Sequence, residues 1–201
     1  MIVIGLTGGS GVGKGCVCQK FLKYNVPAID TDKTSRSVCD PGMPCLNELV
    51  SCFGHSILNP DGTLNRKELA SIAFSDEEKH EQLNKITHYY ILNEVRSWLK
   101  EMAAKGCVAA IVDAPLLFES GFDKECDVIV AVVAHRQKRI ERILERDNIT
   151  LEMAELRLSK QQEDSFYTDK ADYVIENNGA LDLLDRQVES IYNSLTSNAK
   201  V

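Results

Sequence analysis

Five short apolar, β-branched runs recur along the chain, at residues 2–7, 26–30, 107–113, 127–133 and 173–176. The stretches between them carry helical period. Strands apolar on both faces and separated by helices predict an α/β fold, a doubly wound parallel sheet of about five strands. The longest helix is expected in the middle of the chain, where Ile91, Val95, Trp98, Leu99 and Met102 form one apolar stripe at i, i+4, i+7, i+8 and i+11. Ser75 followed by Glu78 reads as its capping box, and Gly106 suits its C-terminal end. Residues 59–63, Asn-Pro-Asp-Gly-Thr, read as a turn. Helical pattern dominates residues 34–105, between the second and third strands, and marks an insertion on the substrate side of the fold.

Composition narrows the class. The 201 residues suit one compact domain with small insertions, and 44% hydrophobic with 26% charged residues is the balance of a soluble globular protein. No run approaches the roughly 20 apolar residues of a membrane span, and the N-terminal segment reads as a first strand, not as a signal peptide. A formal charge of −7 argues against nucleic acid as a bulk partner, while leaving room for a small phosphorylated ligand. Seven cysteines at irregular spacing point to a reducing, cytoplasmic setting. The gaps among Cys39, Cys45, Cys52 and His55 are wider than zinc-knuckle spacing, and Cys107 and Cys126 read as small buried hydrophobes.

The chemistry begins directly after the first strand. Gly8, Gly9, Ser10, Gly11, Val12, Gly13 and Lys14 form a glycine loop between a predicted strand and a predicted helix, the context a phosphate loop requires. Successive backbone N–H groups can there face one concavity at a helix N-terminus, with Lys14 reaching the β- and γ-phosphates of a nucleotide. One position departs from the motif. Gly15 and then Cys16 stand where a Ser or Thr hydroxyl would ligate Mg²⁺, and neither supplies a hard oxygen.

Three further groups surround this motif. Asp30 and Asp32 close the second strand, where ligands of doubly wound sheets sit. There they act either as caps of the next helix or, for Asp32, as the acceptor of a hydroxyl proton. Asp113 ends the third strand in the manner of an acid that holds Mg²⁺ through water, with no direct protein ligand to the metal expected. The loop after it, Pro115, Leu116, Leu117, Phe118 and Glu119, offers three apolar residues either to an organic ligand or to packing against the next helix. Arg139, Arg142 and Arg146 share one helical face, as donors to a transferring phosphoryl group or as solvated ion pairs; Arg136 and Lys138 fit the ion-pair reading.

Together these motifs resemble the dephospho-CoA kinase family, from the first strand to about residue 180. The resemblance rests on the segment 5–14, on Asp30-Thr-Asp32 with Arg36, on Asp61 to Arg66 with Leu69, Phe74, Leu83, Asn84 and His88, and on Asp113 to Glu119. It continues through Arg142, Arg146-Asp147, Arg157, Gln161 and residues 170–175 to Asn177 and Gly179. It implies ATP-dependent phosphorylation of the ribose 3′-hydroxyl of dephospho-CoA, with Mg²⁺ as cofactor, in a monomer or small homo-oligomer. Residues 1–33, 106–135 and 171–201 would form the nucleotide core, 34–105 the CoA-binding part, and 136–170 a lid. Asp32 would be the general base, assisted by Lys14, Arg142 and Arg146. The loop from Gly8 to Cys16 with Asn177 would hold ATP, and Arg36, His88, Asp113 and residues 115–119 would hold the acceptor. Two other readings remain at this stage: a kinase for another small acceptor, and an ATP- and CoA-binding homologue impaired by Gly15.

Overall fold

A computed structural model describes residues 1–179 and 181–198. Its five strands, β1 (Ile2–Thr7), β2 (Ala28–Asp30), β3 (Ala109–Asp113), β4 (Val128–Val133) and β5 (Tyr173–Glu176), form one sheet in the order β2-β3-β1-β4-β5. β1 pairs in parallel with β3 on one side (Ile4 opposite Ile111) and with β4 on the other (Leu6 opposite Val130), and β4 continues to β5 (Val132 opposite Ile175). The chain leaves β1 towards β2, returns by β3, then crosses β1 to β4 and β5. The carboxyl end of β1 is therefore the switch point, where an open α/β sheet forms its ligand crevice.

The helices are α1 (Lys14–Leu22), α2 (Thr31–Ser37), α3 (Pro44–Phe53), α4 (Arg66–Ala73), α5 (Glu77–Ala104), α6 (Arg136–Asp147), α7 (Leu151–Ser159), α8 (Asp164–Thr168) and α9 (Leu181–Asn198). They fall into two compact units. The first, Met1–Ile29 with Leu99–Val201, contains the sheet and the last turns of α5; the second is Asp30–Trp98. Residues 180 and 199–201, which the sequence assigns to the nucleotide core, lie outside the described residues.

In the first unit Ile4, Leu6, Ile111, Val130, Val132 and Ile175 form the buried sheet interior. Val17 and Phe21 of α1 pack into the same cluster with Leu184, Val188, Ile191 and Leu195 of α9, a helical stripe at i, i+4, i+7 and i+11. Tyr24 stacks on Tyr192 at 4.6 Å, and Lys20 pairs with Asp185 at 2.7 Å beside it. The second unit has its own core of Val38, Cys39, Cys45, Leu49, Ile57, Leu69 and Ile86. There the turn at residues 59–63 closes a two-residue ladder: Asp61 accepts the N–H of Thr63, and Leu58 bridges Leu64.

Two local expectations change. Ser75 does not cap α5. Its hydroxyl donates back to the Ile72 carbonyl, and Asp76 accepts the Glu78 N–H instead. A carboxylate one residue nearer the helix meets that amide directly and carries the charge that a helix N-terminus favours. Cys107 and Cys126 are half-buried at the sheet margin, and burial pushes the Cys126 thiol up to about 12. Gly106 does end α5, with φ of 78°.

The sheet interior sets a stability expectation. Ile4 is fully buried in the central strand, so Ile4→Ala should lower the unfolding free energy by about 2–5 kcal/mol. Urea denaturation checks it, and a loss below about 1 kcal/mol would mean that the site collapses onto the missing atoms.

Candidate active site

The carbonyls of the loop that leaves β1 find donors on the protein side. Gly8 O accepts from Lys14 Nζ at 3.0 Å, and Ser10 O from Arg139 Nε at 2.9 Å. Gly11 O and Val12 O each accept from Arg142 Nη1 at 3.1 Å, and Val12 O also from Asn177 Nδ2 at 2.8 Å. Gly13 O receives the amides of Cys16 and Val17, the first bonds of α1. Gly13 has φ of 90°, and a Cβ there would lie 2.3 Å from Asn177 Nδ2, so glycine alone lets the asparagine reach the loop.

At the loop's carboxyl end the Lys14 ammonium lies 3.9 Å from Asp113 Oδ1, with both side chains largely buried. The Cys18 Sγ is 4.0 Å from Asp113 Oδ2. The site thus joins a nest of backbone amides, a helix N-terminus, one ammonium and one carboxylate. A polyanion suits the first three and a hydrated divalent cation the fourth.

Arg142 lies against the loop. Its guanidinium is half-buried and donates to Gly11, Val12, Asn177 O and Asn177 Oδ1, and so clamps the carbonyl side of the loop. Its fork matches several convergent oxygens. Asn177 is itself buried, held by its N–H on Val133 O and by the same clamp. Arg146 is exposed on the last turn of α6 and pairs with Asp147 through two bonds of 2.7 and 2.9 Å, while Arg157 also donates to Asp147. These arginines hold the Asp147 carboxyl well below the usual carboxylate range. Arg136 pairs with Glu155 and Lys138 with Glu141 on the exposed surface, as ion pairs.

The family model for dephospho-CoA kinase matches residues 2–182. The chain belongs to the dephospho-CoA kinase family. It is 38% identical to the dephospho-CoA kinase of Corynebacterium efficiens over 200 residues, covering all of both chains. A solved structure from Thermus thermophilus, TT1252, superposes with a TM-score of 0.81 at 26% identity, over 96% of this chain and 97% of that one. The dephospho-CoA kinase of Campylobacter jejuni shares the fold, with a TM-score of 0.70 at 24% identity over 98% of both chains. Among the described residues no helix is long and apolar enough to cross a membrane.

Within this dephospho-CoA kinase fold the two strand-end acids separate. Asp30 caps α2 by accepting the Lys33 N–H at 3.1 Å. Asp32 sits in the first turn of α2, exposed and outside the cap, and Arg36 lies four residues on along the same helix face. Of the apolar loop after β3, Leu117 is fully buried, in keeping with the packing reading for that residue. It fills the space beside Gly5, where a Cβ would meet its Cδ2 at 2.8 Å. Leu116 stays exposed, and Phe118 packs edge-on against Phe166 with Lys170 Nζ 4.8 Å from its ring. Pro115 is half-buried and Glu119 exposed.

Gly15 begins α1 with no atom within 4 Å of a would-be Cβ, and Cys16 packs against the core. Open space there, with Asp113 beside Lys14, fits a divalent cation that keeps water in place of a hydroxyl ligand. Arg139, legible in the sequence only as one of three arginines on a basic face, and Gln161, legible only through the resemblance, both bond to Ser10 of the loop. Arg139 is almost fully buried, an unusual state for a charge on a helix that otherwise reads as solvated.

His88 lies on α5, half-buried, and burial lowers its pKa. Folding therefore favours its neutral form, which contributes stability above the ordinary histidine range that is lost as pH falls through that range and below. Urea midpoints should decline from pH 7.5 to 5.5, and His88→Gln should flatten part of that decline. An unchanged slope in the variant would place the titration elsewhere.

Proposed function

We propose that this chain transfers the γ-phosphoryl group of ATP to the ribose 3′-hydroxyl of dephospho-CoA, giving coenzyme A and ADP. The observation that carries this reading is the braced phosphate loop with Lys14 and Asp113 at its mouth, in a chain aligned end to end with a dephospho-CoA kinase.

The loop from Gly8 to Cys16, with Lys14 and Asn177, holds the triphosphate, and Asp113 would hold Mg²⁺ through water. The cation supplies charge neutralisation on the β- and γ-oxygens. Asp32, left out of the helix cap, accepts the 3′-hydroxyl proton as that oxygen forms its bond to the γ-phosphorus. The bond from phosphorus to the β,γ-bridging oxygen breaks, ADP carries away the electron pair, and Asp32 returns the proton to water. Arg36, His88, Leu116, Phe118 and Glu119 orient the acceptor, with Pro115 shaping the loop, and Leu117 supports that loop from the core. Residues 34–105 form the CoA-binding part. Residues 136–170 serve as a lid, with Arg142 and Arg146 as donors to the transferring phosphoryl group. The chain works in the cytoplasm as a monomer or small homo-oligomer. Little covalent chemistry falls to the protein, so positioning and electrostatics supply the rate.

ADP formation from ATP, Mg²⁺ and dephospho-CoA tests the proposal. Asp32→Ala should lower kcat by about 10²–10⁴ while leaving the KM for ATP nearly unchanged. Turnover at the wild-type rate in that variant would remove the base assignment. Gly15→Ser adds a hydroxyl into open space. It should lower the Mg²⁺ concentration for half-maximal rate by up to about tenfold, the worth of one polar contact. No turnover in the wild type, with ADP formed by the Gly15→Ser variant, would mean a kinase silenced at its metal ligand.

A further inference from the structure

Ser10 stands at the middle of the loop, and two side chains hold all three of its polar groups. Its N–H donates to Gln161 Oε1 at 2.9 Å, its hydroxyl accepts from Gln161 Nε2 at 2.7 Å, and its carbonyl accepts from Arg139 Nε at 2.9 Å. Arg139 also donates through Nη2 to Gln161 Oε1 at 2.9 Å and through Nη1 to Asp164 Oδ1 at 3.1 Å. The carboxamide can sit only one way round. Flipped, its NH₂ would face two donors, the Ser10 amide and the guanidinium.

We infer that Gln161 is a positioning residue for the phosphate loop, acting through Ser10, with Arg139 as the buttress that fixes its orientation. Lys14, Arg142 and Asn177 hold the flanks of the loop, and Gln161 holds its middle. The loop keeps its phosphate-accepting shape before a nucleotide arrives, so ATP need not order it. Preorganisation of this kind strengthens binding and leaves the chemical step nearly untouched. Gln161 follows α7, and Asp164 opens α8, so the segment proposed as the lid is tied to the loop it would cover. The ligand in this inference, though not the brace itself, rests on the kinase reading.

Two substitutions separate the brace from general stability. Gln161→Leu keeps the size of the side chain and removes its polar atoms. Gln161→Glu keeps an acceptor for the Ser10 N–H and for Arg139, and the Ser10 hydroxyl can turn to donate to the second oxygen. Amide hydrogen exchange on the nucleotide-free protein reads the loop directly. ATP calorimetry and steady-state kinetics read the consequence.

In Gln161→Leu, exchange at Ser10 and its loop neighbours should rise about tenfold with the amides of β1 and α1 unchanged. The dissociation constant and KM for ATP should rise by a similar factor, and kcat at saturating ATP should stay within about threefold. Gln161→Glu should restore both readouts to within about threefold of wild type. Unchanged loop exchange in Gln161→Leu would overturn the inference, as would a Gln161→Glu protein equally loosened. A fall in kcat with ATP affinity unaltered would overturn it too. A wild type that binds no ATP would sink the kinase reading instead, and the exchange comparison would still decide the brace.

Discussion

A loop that turns a row of amide N–H groups into one cavity must turn its carbonyls the other way, and buried carbonyls without donors are costly. Much of the first unit answers that constraint. Lys14 takes the Gly8 carbonyl, Arg139 that of Ser10, and Arg142 with Asn177 those of Gly11 and Val12. The donors come from α1, from α6 and from the segment just after β5, the elements that the sheet order brings around the end of β1. The anion site is thus built from its outer face. Three cations held around a loop of neutral amides also raise its potential, which favours a triphosphate in a chain of net charge −7.

The same constraint explains why glycine occurs where it does. Gly13 adopts a left-handed φ and leaves the gap into which Asn177 reaches, while Gly5 makes room for Leu117 beneath the loop after β3. Gly15 is of a different kind. Nothing crowds it, and its place at the start of α1 does not demand glycine, so a side chain there would be tolerated. A hydroxyl there would bear on the hydration of a divalent cation and not on folding.

Much of the fold was legible because it is written locally. Apolar runs located all five strands to within two residues, since strands buried on both faces leave little choice of residue type. The glycine loop was legible for a related reason, as its chemistry lies in seven consecutive residues. What escaped were choices between neighbours and contacts across the chain. Asp76 displaced Ser75 as a cap because a carboxylate one position on competes better for the same amides. The spacing of Arg142 on α6 shows only a basic face and says nothing of its contacts to the loop. Its partners lie up to 131 residues away, at Gly11, Val12 and Asn177. Arg139 and Gln161 were obscured in the same way, by contacts to Ser10 that no local pattern announces.

The catalytic account makes transfer a single displacement. In the proposed reaction the loop and one ammonium would position the nucleotide, and a carboxylate would accept the proton of the attacking hydroxyl. Stereochemistry at phosphorus tests this most directly. ATP made chiral at its γ-phosphorus with oxygen isotopes and sulfur would be turned over with dephospho-CoA, and the configuration of the product read by ³¹P NMR. Inversion is the predicted result. Retention would mean two successive displacements through a phosphorylated side chain, and would contradict direct transfer onto the 3′-hydroxyl.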